Sequence, residues 1–133
     1  MPLEHLHPTV REYVASRTLA ETYDEYFASN LLFRYDCRFL DEYLSPPGPV
    51  LDLGCGTGRH LLHLERCGIS AVGLDLNPHM LQEAWTTLRQ ERVPCRLLRG
   101  DFHSLPLRRG ARFQGILLMF STLGLVRPAR QRR

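Results

Sequence analysis

The chain has 133 residues, 44% of them apolar and 23% charged, which is one domain's length with an ordinary globular balance and excludes wholesale disorder. Its net charge of +3 is built with arginine alone: residues 1–49 carry four Arg against eight acids, and residues 50–133 carry thirteen against six. With no lysine anywhere, chemistry that needs a lysine Schiff base or a Walker lysine is excluded.

The N-terminus lacks the basic-then-apolar order of a signal peptide, and the longest apolar run, Ile116 to Phe120, is far short of the roughly 20 residues a membrane helix needs. Cys37, Cys55, Cys67 and Cys95 form no CxxC pair. They read as reduced thiols, and the expected location is cytoplasmic, with no membrane partner. In chain order, Thr9-Val10-Arg11-Glu12 has the form of a capping box, with Thr9 as N-cap. Val10, Tyr13, Val14, Tyr23 and Phe27 then recur at helical spacing, which predicts a helix to about Ser29, broken near Arg17. Asn30 is the expected cap of a second helix with Leu32, Tyr35, Phe39 and Tyr43 on its apolar face. Ser45-Pro46-Pro47-Gly48-Pro49 ends it and is the clearest linker.

Beyond the linker the periodicity changes. Val50 to Leu53 is a short buried-type strand, and Arg59 to Cys67 a helix with Leu61 and Leu64 inward and Gly68 as its stop. Ile69 to Leu74 is a second strand. Asn77 and Pro78 open another helix, with Met80, Leu81, Ala84, Trp85 and Leu88 inward. Cys95 to Leu98 and Gln114 to Phe120 supply strands three and four. This alternation predicts an α/β fold with a parallel sheet and right-handed crossovers. The expected division is an N-terminal helical cap over 1–45, a ligand-binding domain over 46–126 and a solvated basic tail over 127–133.

The chemistry concentrates in Val50-Leu51-Asp52-Leu53-Gly54-Cys55-Gly56-Thr57-Gly58. A buried strand meets three alternate glycines and then a helix start, the place where open α/β sheets bind ligands. Two ligand classes compete. A dinucleotide fingerprint, G-x-G-x-x-G, needs glycine at position 59, which is Arg59. Asp52 would repel a pyrophosphate but suits a ligand bearing an ammonium and a sulfonium. Asp75 follows Gly54 by 21 residues, a separation from which an acid accepts from both ribose hydroxyls. Gly100-Asp101-Phe102 follows strand three: a carboxylate there accepts from an adenine amino group, and Phe102 covers a ring face.

With these motifs in order, the chain resembles the class I S-adenosylmethionine-dependent methyltransferases. VLDLGCGTG (50–58) resembles their glycine motif, GLDLN (73–77) their ribose motif, GDFHSLPL (100–107) their adenine motif and FQGILLMFSTLG (113–124) their fourth strand and following turn. Ala20-Glu21-Thr22-Tyr23-Asp24 resembles the N-terminal helices that cap the pocket of many small-molecule members. The resemblance implies a Rossmann-like sheet of order 3-2-1-4 within a seven-stranded fold, S-adenosyl-L-methionine as cofactor and a small-molecule methyl acceptor. It implies that Leu53, Gly54, Cys55, Gly56, Thr57 and Gly58 cradle the methionine part and that Asp52 holds its amino group. It further implies that Asp75 binds the ribose with Leu76 beside the adenine, that Asp101 and Phe102 read the adenine edge, that Phe120 lines the methionine end and that Tyr23 closes the pocket.

Two departures stand out. Gln114 occupies a place where family members often carry an acid, and strands five to seven have no sequence here. The expectation is therefore a truncated product, or one completed by a copy of itself or another chain at an exposed fourth-strand edge; the alternative function is a non-catalytic remnant that binds cofactor weakly. No general base is assigned among His79, His103, Tyr23 and Tyr35. His60, His63 and Cys67 share one side of a helix but lack a fourth ligand and are read as structural, with no metal expected. The arginines after Asp101 lack any nucleic-acid reader motif and are read as solvated.

Overall fold

The structure is a computed structural model that describes residues 4, 6–101 and 104–120. Phe102, His103 and the segment 121–133, with its basic tail, lie outside the described residues. Three helices come first: α1 (Pro8–Ala15), α2 (Arg17–Phe27) and α3 (Leu32–Tyr43). Then follow β1 (Val50–Leu53), α4 (Arg59–Arg66), β2 (Ala71–Asp75), α5 (Pro78–Gln90), β3 (Leu97–Arg99) and β4 (Gly115–Leu117). The four strands form one parallel sheet, as the alternation of strands and helices predicts, and its order β3-β2-β1-β4 is the one the resemblance implies. Among the described residues, no helix is long and apolar enough to cross a membrane.

β1 is central, and all four of its residues are buried, as a strand covered on both faces requires. Val50 packs with Leu40 of α3, Leu61 and Leu64 of α4 and Leu88 of α5 on one face. Leu51 and Leu53 pack with Leu74, flanked by Leu98, Leu107 and Phe113, on the other. Gly73 of β2 is paired with Asp52, and no larger residue fits there: an added Cβ would lie 2.5 Å from Leu61 Cδ1 and 2.8 Å from Cys55 Sγ. Gly73→Ala is expected to destabilise the fold by about 1–3 kcal/mol through overpacking, read as a lower midpoint in urea unfolding.

Helix ends follow local chemistry. Ser16 closes α1 and caps α2, its hydroxyl accepting from the Leu19 N–H at 3.1 Å, which places the expected break at Ser16. Asn77 caps α5 as predicted, accepting from the His79 N–H at 2.8 Å. The α1 cap differs from the expectation: Pro8 is already helical, so the N-cap is His7, whose side chain accepts from the Thr9 N–H.

The apolar face of α3 is also corrected. Leu32, Tyr35, Phe39 and Tyr43 are all more than half exposed, and Leu40 is the buried residue. Both stripes have helical spacing, and α4 decides between them. Asp36 and Asp41 lie on the packed side, where they meet His60 at 3.3 Å and His63 at 2.7 Å. Strands three and four are shorter than predicted, and Ile116 and Leu118 are exposed. Gln114 precedes β4 instead of opening it. Its amide accepts from the Ser45 N–H at 2.8 Å and donates to the Ser45 carbonyl at 2.7 Å, a two-way pairing with the Ser45 backbone that a carboxylate could not complete.

Candidate functional site

The site forms where β1 and β2 end. The glycine loop is tied to the tip of β2 by the Gly54 and Cys55 N–H groups, which donate to the Leu74 carbonyl at 2.7 and 3.0 Å. Gly54, Gly56 and Gly58 have φ of 78°, 54° and 82°, a left-handed geometry that strains other residues. Two of them differ in purpose. A Cβ on Gly58 would lie 3.1 Å from Ala84 Cβ, so this glycine lets α5 approach the loop. A Cβ on Gly56 would meet nothing within 4 Å, so the loop tip borders open space. Thr57 and Cys55 are buried, and the Cys55 thiol is pushed up first by burial, which marks it as a packing residue instead of a nucleophile.

Asp52 is 1% exposed, and neither carboxylate oxygen has a hydrogen-bond partner among the described residues. Burial, with the nearby Asp75 charge as a smaller cause, raises its pKa to about 7. Buried carboxylates are ordinarily satisfied, so an orphaned one beside an open glycine loop points to a cationic ligand group.

Asp75, at the tip of β2, is as buried as Asp52 but well partnered. Its oxygens accept from the Gly56 N–H at 2.9 Å, from the Asn77 N–H at 2.8 Å and from the Tyr13 hydroxyl at 3.0 and 3.1 Å. Burial raises its pKa, and these donors oppose the rise. Tyr13 in turn is driven far above the ordinary phenol value, chiefly by burial and then by the Asp75 charge. The Asn77 amide donates to the Tyr13 carbonyl at 2.6 Å and to the Ser16 carbonyl at 3.3 Å, so one side chain starts α5 and fastens α1 across the site. Leu76 is half-buried next to Asp75. The Gly100 N–H donates to the Asp75 carbonyl at 3.1 Å and brings the β3 tip alongside, with Asp101 following in a bridge to Ser104.

A second cluster lies at the start of α4. The Arg59 guanidinium sits 5.0–5.6 Å from the ring centres of Tyr23, Phe27, Phe33 and Phe120. Asp24 accepts from the Thr57 hydroxyl at 2.5 Å and lies 3.7 Å from Arg59 Nε, placing an acid at the helix N-terminus. Of the predicted site residues, the structure thus brings Asp52, Asp75 and the glycine loop together. It sets Tyr23 and Phe120 against Arg59, beside the same loop.

Sequence reasoning missed Tyr13, Asp24, Phe27 and the enclosing of Arg59. Asp24 adjoins Tyr23 in a segment already matched to the cap helices, which was its only signal. Tyr13 carried none beyond helical spacing. His79 is half-buried in the first turn of α5, and Tyr35 is exposed on α3.

A parallel sheet with a glycine loop after its central strand and carboxylates at adjacent strand tips defines a Rossmann-like ligand-binding domain. More specifically, the chain belongs to the methyltransferase domain family, which matches residues 50–133. It is 32% identical over 83 residues to a dTDP-3-amino-3,4,6-trideoxy-alpha-D-glucopyranose N,N-dimethyltransferase of Streptomyces venezuelae, covering 62% of this chain and 32% of that protein. It is 37% identical over 75 residues to a dTDP-3-amino-3,6-dideoxy-alpha-D-glucopyranose N,N-dimethyltransferase of Streptomyces fradiae, covering 56% of this chain and 27% of that one. Among solved structures, the CcbJ methyltransferase of Streptomyces caelestis superposes with a TM-score of 0.66 at 27% identity, covering 79% of this chain and 43% of that chain. Streptomyces venezuelae DesVI gives 0.64 at 27% identity, covering 79% and 44%. The chain therefore spans about a third or less of these curated relatives and under half of these solved chains.

Proposed function

We propose that the chain is the cofactor-binding part of an S-adenosylmethionine-dependent methyltransferase whose acceptor is a small molecule. The observation that carries this reading is Asp52, a fully buried carboxylate without a partner among the described residues, held beside a glycine loop that opens outward at Gly56. A methionyl ammonium supplies the donors that Asp52 lacks together with an opposite charge, which a neutral or anionic ligand would not bring. Asp75, at the adjoining strand tip, would accept from a ribose diol on the two oxygens that here accept from the Tyr13 hydroxyl. Leu76, Asp101 and Phe102 follow β2 and β3, where the adenine would lie. The cofactor supplies an activated methyl group on sulfur. The chain's residues hold the donor in place, and for an in-line displacement with a neutral leaving group, placement does much of the work. Tyr23, Phe27 and Phe120 surround Arg59, the residue that follows the loop, and would lie toward the methionine end. The two aminosugar N,N-dimethyltransferases among the relatives support a small acceptor.

Calorimetric titration tests this reading. S-adenosylmethionine and S-adenosylhomocysteine are expected to bind at one site and NAD not to bind. NAD binding without the other two would favour the dinucleotide reading, and no binding by any of them would leave the site without a ligand class.

One observation favours a second reading, a cofactor-binding subunit completed by another chain or a second copy. Among the described residues β4 pairs with β1 alone, and its Ile116 is 59% exposed. An apolar strand edge of this kind invites pairing.

A further inference from the structure

We propose that Asp41 of α3 together with His63 and Cys67 at the α4 end forms a binding site for a zinc-class divalent metal, separate from the cofactor site. The three ligand atoms come from two packed helices. His63 and Cys67 are four residues apart, so their side chains project from one face of the α4 end, the spacing metal-binding helices use. Asp41 faces them across the α3–α4 contact.

The distances carry the argument. Asp41 Oδ1 lies 2.7 Å from His63 Nε2 and 3.8 Å from Cys67 Sγ, and Cys67 Sγ lies 3.9 Å from His63 Nε2. All three atoms lie within 4.8 Å of one another. A tetrahedral zinc with ordinary bond lengths holds such O, N and S ligands about 3.4–3.6 Å apart. The triangle is therefore already close to one face of a zinc tetrahedron. Tightening it asks the two contacts to sulfur to shorten by a few tenths of an ångström and the Asp41–His63 hydrogen bond to open as the metal takes its place. His60, which shares the same helix face, is not in the group: it turns instead to Asp36 and Phe33.

Ligand chemistry selects the ion. A thiolate with an imidazole and a carboxylate suits zinc and its neighbours in the first transition row, not magnesium or calcium, which prefer oxygen alone. Cys67 and Asp41 are exposed and His63 is half-buried, so an ion and a fourth, water ligand have access from solvent. Three protein ligands with one open position is the arrangement of zinc sites that keep a water. A bound ion would join α3, the last cap helix, to α4, the helix that begins at the glycine loop.

The experiment titrates the full chain, purified with chelator and reductant, with cobalt(II) as the spectroscopic probe and zinc(II) as competitor. The wild type is expected to take up one cobalt with a thiolate charge-transfer band and ligand-field bands of tetrahedral strength, all removed by zinc. Zinc is expected to raise its thermal midpoint, because an ion that binds only the folded state stabilises it. Cys67→Ser should abolish the charge-transfer band, and Asp41→Asn should weaken binding at least tenfold, the least that even an outer-sphere partner costs. Cys95→Ser, away from this site, should change neither. Circular dichroism establishes that each variant folds. Absence of cobalt uptake by the folded wild type, or an unchanged charge-transfer band in folded Cys67→Ser, would overturn the proposal. The cofactor titration above reads a different site, so either result stands without the other.

Discussion

Asp52→Asn is expected to stabilise the ligand-free protein at pH 8 and to remove most of its affinity for S-adenosylmethionine. Unfolded, this carboxyl titrates near 4, whereas folded it titrates at about 7 because burial penalises its charge. Between those values the folded state holds a proton that the unfolded state has lost. Stability from this group is therefore complete below about pH 4 and falls as pH rises through 7. The full difference is about 4 kcal/mol. Asparagine removes the ionisation cost but leaves a buried amide without partners, at about 1–3 kcal/mol. The net expectation is a gain of about 1–3 kcal/mol at pH 8 that reverses to a loss of about 1–3 kcal/mol by pH 4, where Asp52 is protonated and only the amide's cost remains. Thermal melts of both proteins across this range measure it.

The functional arm runs the other way. Only ionised Asp52 pairs with an ammonium, so wild-type affinity should climb up to tenfold per pH unit below 7 and level off above it. Asp52→Asn should flatten that profile and lose roughly tenfold or more at pH 8, the worth of a hydrogen bond to a charged group. A stable, tight-binding Asp52→Asn variant would show that the orphaned carboxylate serves something other than this ligand.

Tyr13→Phe is expected to bind cofactor more tightly while folding less stably. The Tyr13 hydroxyl reaches both oxygens of Asp75, at 3.0 and 3.1 Å, which is the pairing a ribose diol would make. The diol must displace it, so the phenol is a competitor built into the chain. Removing the hydroxyl forfeits its hydrogen bonds to a buried carboxyl acceptor, about 1–3 kcal/mol of stability in the ligand-free state. The same loss is absent once the ribose occupies Asp75, so affinity should rise by roughly tenfold. Paired melting and calorimetric measurements on the variant read both effects. Weaker binding by Tyr13→Phe would make Tyr13 part of the ligand's own contacts.

The parts of the molecule that could be read from sequence are those whose chemistry is local. Asn77-Pro78 dictates a helix start wherever it stands, and the strand, glycine loop and helix of residues 50–66 are contiguous. The parallel sheet followed from the alternation of elements, and its strand order from the resemblance to the methyltransferases. Where distant residues decide, the sequence was silent or misleading. Tyr13 and Asp75 are 62 positions apart, and nothing in either neighbourhood announces the contact. On α3 two stripes had helical spacing, and the aromatic one looked like the core. The structure buries the other, because its aspartates meet the histidines of α4. Position 114 looked like a missing acid, yet its amide pairs with the backbone N–H and carbonyl of Ser45, 69 residues away. Asp52 itself was legible as a ligand group. That it stands without a partner was not, because satisfaction is a property of the packed interior.

The most direct measurement is a crystal structure of this chain with S-adenosylhomocysteine. It should place the ribose diol on Asp75 with the Tyr13 hydroxyl moved away, and the methionyl ammonium in reach of Asp52. A ligand bound elsewhere, leaving both carboxylates with their present neighbours, would contradict the account.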